Sequence, residues 1–235
     1  MAPKKKNELK ETEKLFVRNK VGVDTDPMVV AQVYERIAKI EVDEEPTKFN
    51  VYPDGMIYIP SLEFRAVQTY IKQHHESVLD VGCGRGIHLA YWLTKGFKVA
   101  WGCDISPTMV SECQKNGIPC REIDLNRPHL LMPYLPDGFD VVTCLHVLEH
   151  VQDPASVVKE LFRIAKDLVV IVVPASKSYW SEGHINVWHT PEELVNGLGI
   201  EEHWTASLEQ LIAKPKDVEL GQSCYVLVIY KNLSK

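Results

Sequence analysis

The sequence predicts an α/β fold built on a seven-stranded, mostly parallel sheet whose last two strands pair antiparallel. Three observations predict it. β-branched runs alternate with amphipathic helical runs from residue 77 to 173, as in parallel strands joined by crossover helices. The first run, Ser77 to Val81, ends in Gly82, Gly84 and Gly86, and a helical run with Ile87, Ala90 and Leu93 on one face follows at once. The last two runs, Glu202 to Ser207 and Ser223 to Tyr230, have no helix of ordinary length between them and suit an antiparallel pair.

Taken in order, the parallel strands fall at 77–81, 98–103, 119–123, 139–144 and 168–173, and the helices at 86–95, 107–116 and 154–166. Three helix starts share one signature, Ser106-Pro107, Asp153-Pro154 and Thr190-Pro191. Each sets a capping oxygen before a proline whose missing N–H costs nothing in the first turn. Thr190 and Glu193 add a capping box, and Gly117 closes the second helix. Upstream, 26–40 and 61–73 carry helical periodicity. The chain therefore divides into a basic, disordered tail (1–20), an N-terminal helical cap (21–60) and a ligand-binding domain (61–235).

Charge divides the chain the same way. The net charge is −6, yet residues 1–20 carry seven Lys or Arg against three Glu, so the remainder is strongly acidic. An acidic body argues against broad contact with a nucleic-acid backbone. No apolar run approaches a membrane-spanning length. The six cysteines, at 83, 103, 113, 120, 144 and 224, form no C-x-x-C pair and suit small apolar fillers in a reducing cytoplasm.

The chemistry concentrates at the glycines. Glycine permits positive φ and close approach of a ligand to the backbone, and the helix start beyond it offers free N–H groups. Two acids frame this loop: Asp80 before it, and Asp104 at the tip of the second strand, where a carboxylate can hold a ribose diol. A nicotinamide fingerprint runs G-x-G-x-x-G, whereas the spacing here is G-x-G-x-G with an acid two residues earlier.

Asp80-Val-Gly-Cys-Gly-Arg-Gly with Asp104-Ile-Ser resembles the class I S-adenosylmethionine-dependent methyltransferases, and the resemblance extends from about Phe64 to the C-terminus. It implies a Rossmann-like methyltransferase fold and S-adenosylmethionine as cofactor. It also implies a binding set of Asp80, Gly82, Cys83, Gly84 and Gly86 in the loop, Asp104, Ile105 and Ser106 at the ribose and adenine, Asp124 and Leu125 at the adenine edge, and Cys144 and Leu145 along the methionine part. Asp80 would face the ligand ammonium. A strand-end acid such as Asp124 also caps turns without any ligand.

After the fourth strand, His146-Val-Leu-Glu149-His150 matches the H-x-x-E-H arrangement of an inverted zincin. That motif needs a long helix, and Asp153-Pro154 starts a new one three residues on, so no metal is expected here. The stretch is similar instead to the methyltransferase branch that includes ubiquinone and menaquinone biosynthesis enzymes. That likeness would aim His146 at the methyl group or acceptor and leave Glu149 and His150 to brace the loop. Gly183-His184 through Glu192-Glu193-Leu194 resembles the same family's segment after the fifth strand. His146 and His184 are therefore the candidate general bases. Tyr52, Tyr58, Tyr179, Trp180 and Trp188 either line an acceptor pocket or pack the helices on the sheet.

The expected function is methyl transfer to an oxygen or nitrogen of a small molecule, by a monomer or homodimer without a membrane span. The alternatives are a protein or RNA methyltransferase that docks through its basic tail, and a non-catalytic cofactor-binding partner subunit.

Overall fold

The computed structural model describes residues 62–175, 184–211 and 223–231, together with Glu35, Ala38 and Lys39. The expected tail (1–20) and most of the expected cap (21–60) lie outside the described residues. Tyr52, Tyr58, Tyr179 and Trp180 lie outside them as well.

The elements are α1 (Leu62–Tyr70), β1 (Ser77–Val81), α2 (Ile87–Thr94), β2 (Val99–Asp104), α3 (Pro107–Lys115), β3 (Cys120–Glu122), β4 (Phe139–Leu145), α4 (Pro154–Ile164), β5 (Ala165–Pro174), α5 (Pro191–Gly197), β6 (Thr205–Leu211) and β7 (Cys224–Tyr230). The seven strands form one sheet in the order β3-β2-β1-β4-β5-β7-β6. β1 pairs in parallel with both β2 and β4, while β7 runs antiparallel between β5 and β6. The expected fold class and the antiparallel pairing of the last two strands are both observed.

Alternation along the strands splits the core into two layers. Val78, Val141 and Val170 face α1, α2 and α3, packing with Phe64, Leu89 and Val110. Leu79, Val142 and Val169 face the other way, against Val158 and Leu161 of α4 and Leu194 of α5. Trp188 belongs to this second layer and is 5% exposed. Of its two expected roles, packing is the one observed, since it does not line the cleft described below.

All three proline-stamped helix starts form as the sequence predicts. Ser106 accepts the Met109 N–H, Asp153 the Ser156 N–H and Thr190 the Glu193 N–H. Most boundaries move by a residue or more, and two strand starts move by three. β5 begins at Ala165 instead of 168, because α4 passes into the strand without a turn and Ala165 pairs with Phe139. β6 begins at Thr205 instead of 202: Trp204 stacks on Phe162 of α4 at 4.2 Å, which holds the preceding residues in a turn.

The strand order reverses at β1, whose successor β2 lies on one side and β4 on the other. Loops leaving β1 and β4 therefore diverge above the carboxyl end of the sheet, where open α/β sheets take ligands. Glu35 lies at the rim of this opening. Its carboxylate accepts Ser106 Oγ at 2.7 Å and the Thr108 N–H at 3.1 Å, and lies 3.1 Å from Lys39 Nζ. Partial burial raises its pKa, but the hydrogen bonds from Thr108 and Ser106 outweigh burial and hold it at about 2.

A folded pKa of about 2 against an ordinary 4.5 means that the carboxylate form stabilises the fold above pH 4.5. That contribution is lost as the pH falls from 4.5 toward 2. Glu35→Gln should therefore melt earlier than the parent at pH 7, with the gap narrowing steadily as the pH falls below 4.5. Thermal melts across that range check this, and a gap independent of pH contradicts it.

Candidate active site

A cleft of about 250 Å³ opens at the switch point. Its floor is the glycine loop, with Gly82 and Gly84 lining it. Gly82, Gly84 and Gly86 all have positive φ, at 78°, 53° and 82°, so the loop runs through conformations that side chains disfavour. Gly84 has no atom within 4 Å of where a Cβ would stand, which leaves its backbone bare toward the opening.

Asp104 anchors one wall. Its Oδ2 accepts the Gly84 N–H at 2.8 Å and its Oδ1 the Ser106 N–H at 2.9 Å. One carboxylate thus joins the glycine loop to the start of α3 and still lines the cleft. Burial pushes its pKa up, and the Ser106 and Gly84 N–H groups pull it back only in part. Each oxygen keeps a further lone pair for a ligand hydroxyl. Ile105, Met109, Ile123 and Leu125 add apolar wall on the same side.

The opposite wall comes from the turn after β4. His146 takes φ 57°, a left-handed conformation rarely tolerated by a side-chain-bearing residue, while its N–H continues the ladder to the Val172 carbonyl at 2.8 Å. The strained backbone turns the chain out of the sheet, and His146 lines the cleft. Leu148–His150 forms a single 3-10 turn, not a long helix, which bears out the objection to a zincin helix. Glu149 is 1% exposed. Its Oε1 lies 3.6 Å from His146 Nδ1 and 3.8 Å from His150 Nε2, and its Oε2 is buried without a hydrogen-bond partner.

The segment after β5 clamps this turn. The Ile185 and Asn186 N–H groups donate to the Glu149 carbonyl at 2.8 and 2.9 Å. Asn186 Nδ2 donates to the Leu148 and Val151 carbonyls. His184 is 6% exposed, with its ring 4.9 Å from that of His150. It stands behind the cleft wall and does not line the cleft.

The residues named from sequence thus separate. Gly82, Gly84, Asp104, Ile105, Ser106, Leu125 and His146 line the cleft. The rest do not. Asp80 is 2% exposed and turned into the core, where Oδ1 accepts Thr143 Oγ1 at 2.7 Å and Oδ2 lies 3.7 Å from His88 Nδ1. Asp124 caps its own turn by accepting the Asn126 N–H at 2.9 Å. Cys144 is fully buried. Leu145 packs toward the α1 layer, and Gly86 sits beneath the loop against Cys113. Cys83 points under the loop, with its Sγ 3.5 Å from that of Cys120.

Sequence reasoning missed Asn126, Val147, His150 and Val151, which also line the cleft. Asn126 carries a signal of sorts: its Oδ1 accepts the Gln152 N–H at 2.9 Å, tying the two walls together. His150, expected only to brace the loop, reaches the opening because a 3-10 turn brings it round beside His146.

The cleft offers what the expected cofactor requires: a half-buried carboxylate at a strand tip, a bare glycine backbone and an apolar wall. Comparison with known proteins agrees. Residues 79–173 match the model of the methyltransferase domain family. A ubiquinone biosynthesis O-methyltransferase of Methylococcus capsulatus is 36% identical over 124 residues, covering 48% of this chain and 51% of that protein. Its counterpart in Pseudomonas fluorescens is 37% identical over 95 residues, covering 39% and 40%. The chain therefore spans about half the length, or less, of these curated relatives. Among solved structures, a SAM-dependent methyltransferase of Archaeoglobus fulgidus superposes with TM-score 0.59 at 19% identity, over 72% of this chain and 93% of that one. An S-adenosylmethionine-dependent methyltransferase of Mesorhizobium loti does so with TM-score 0.57 at 15% identity, over 72% and 98%. The order of its strands and these superpositions give the chain the Rossmann-like fold of the methyltransferases, and within it the segment from 79 to 173, glycine loop included, matches the methyltransferase domain family.

Proposed function

We propose that the protein transfers a methyl group from S-adenosylmethionine to a small molecule, at an oxygen in preference to a nitrogen. The observation that carries this is Asp104: a carboxylate at the tip of β2, fixed by two backbone N–H groups and lining the cleft. The preference for oxygen comes from the O-methyltransferase names of the curated relatives. A small acceptor suits a narrow cleft in an acidic body, and no helix among the described residues is long and apolar enough to cross a membrane.

In this reading Asp104 binds the ribose hydroxyls, and Ile105, Met109 and Leu125 hold the adenine. Gly82 and Gly84 let the methionine part lie on bare backbone. The cofactor supplies an activated methyl on a good leaving group, so the protein mainly positions the acceptor. A hydroxyl acceptor must also lose its proton as the new C–O bond forms and the C–S bond breaks. His146 is the group placed to take it, since it lines the cleft and His184 does not. Glu149, with Oε1 beside His146 Nδ1, is the positioning residue that favours a proton on that nitrogen.

Asp104→Ala removes two charge-assisted ligand bonds and should weaken S-adenosylhomocysteine binding roughly 30- to 150-fold. It also leaves the Gly84 and Ser106 N–H groups without their partner, so it should lower folding stability by about 1–3 kcal/mol. Calorimetric titration of variant shown to be folded by circular dichroism checks the first. An unchanged dissociation constant in folded protein would move the ribose contact elsewhere.

For a hydroxyl acceptor, His146→Ala should lower kcat by roughly 10²–10⁴ and leave S-adenosylhomocysteine affinity almost unchanged. His146→Gly should lose activity equally. It should nonetheless fold more stably than the alanine variant by about 1 kcal/mol, because glycine relieves the left-handed backbone. Loss of cofactor affinity in both variants would make His146 a structural brace instead of a base.

A further inference from the structure

Three cysteines from different elements meet beneath the glycine loop. Cys83 comes from the loop, Cys113 from the last turn of α3 and Cys120 from the start of β3. All three are buried, at 6%, 0% and 6% exposure, and their sulfur atoms lie within 4.8 Å of one another. The Cys83–Cys120 separation is 3.5 Å. Three thiolates around one cation at a metal–sulfur distance of about 2.3 Å stand about 4 Å apart. The sulfur triangle, with one edge at 3.5 Å and none longer than 4.8 Å, is close to that size, so a cation at its centre asks only small shifts of the thiols.

Two glycines leave room for the thiols. A Cβ on Gly86 would stand 2.7 Å from Cys113 Sγ, and one on Gly102 would stand 2.4 Å from Cys83 Sγ. Two backbone positions are thus kept bare where the thiols need room. The neighbours that close the gap are the apolar side chains Leu89 and Ile118. No fourth His, Cys, Asp or Glu joins the cluster among the described residues. Structural zinc sites are almost always four-coordinate, whereas soft thiolate donors in a dry three-ligand site suit a monovalent thiophilic ion.

We propose that Cys83, Cys113 and Cys120 form a three-sulfur site for a thiophilic d10 cation of the Cu(I) type. Binding forms metal–sulfur bonds and releases the displaced thiol protons to solvent, with no change in oxidation state. The bound ion would cross-link the glycine loop, α3 and β3, the segments that lie under and beside the cleft. The site is independent of the methyl-transfer reading, since it needs only the fold.

The test is anaerobic titration of the reduced full chain with Cu(I) in competition with a Cu(I)-specific chelator, and a parallel titration with Zn(II). X-ray absorption of the loaded protein then identifies the ligands. The expected result is one equivalent of Cu(I) in a shell of three sulfurs, a raised melting temperature, and Zn(II) held much more weakly. Cys113→Ser with Cys120→Ser should abolish retention, while Cys224→Ala, remote from the triangle, should leave it unchanged. If the double variant fails to fold, the ligand shell of the parent protein decides. Failure to compete with the chelator, nitrogen or oxygen ligands in the shell, or tight binding that survives the double substitution would overturn the proposal.

Discussion

The cleft depends on one carboxylate. Asp104 ends β2 and accepts N–H groups from two different segments, the glycine loop at Gly84 and the start of α3 at Ser106. Without it, three alternate positive-φ glycines would form a loop with little to fix its shape. With it, the loop and the helix start are held at a set spacing on either side of the cleft. The same burial that raises its pKa makes the bonds to it strong, because little water competes for the oxygens.

The opposite wall is built on a different principle. There, no carboxylate bridges two segments; His146 takes left-handed φ between the ladder bond to Val172 below and the Leu148–His150 turn beyond. The segment 184–186 then locks that turn through the Glu149, Leu148 and Val151 carbonyls. Strain at a residue lining a cleft is tolerated where surrounding bonds over-determine it. The buried Glu149 carboxyl stands behind that wall, with the same oxygen 3.6 Å from His146 Nδ1 and 3.8 Å from His150 Nε2. The two walls meet through Asn126, whose oxygen accepts an N–H from Gln152.

What could be read from the sequence follows from how local each signal is. Strand and helix periodicity, the three proline-stamped caps and the glycine loop are set by neighbours a few residues apart, and the structure reproduces them. The acid at the tip of β2 was also legible, because the strand's end fixes where its side chain goes. Asp80 was not: its direction depends on Thr143 and His88, one on the adjoining strand and one on a helix, and both hold it inward. His150 and Asn126 reach the cleft only because short turns bring them round, and turn geometry leaves little trace in hydrophobic pattern. The cysteine triangle was equally invisible, since thirty-seven residues separate Cys83 from Cys120 and only the β1–β2–β3 order brings them together.

In the proposed reading, Asp104 and the glycine loop together hold the adenosyl and methionine parts of one cofactor. A crystal structure of the protein with S-adenosylhomocysteine tests it most directly. The account predicts both ribose hydroxyls within hydrogen-bond distance of Asp104, the adenine against Ile105 and Leu125, and the sulfur facing His146. A ligand bound in the cleft with its ribose away from Asp104, or bound outside the cleft altogether, would contradict it.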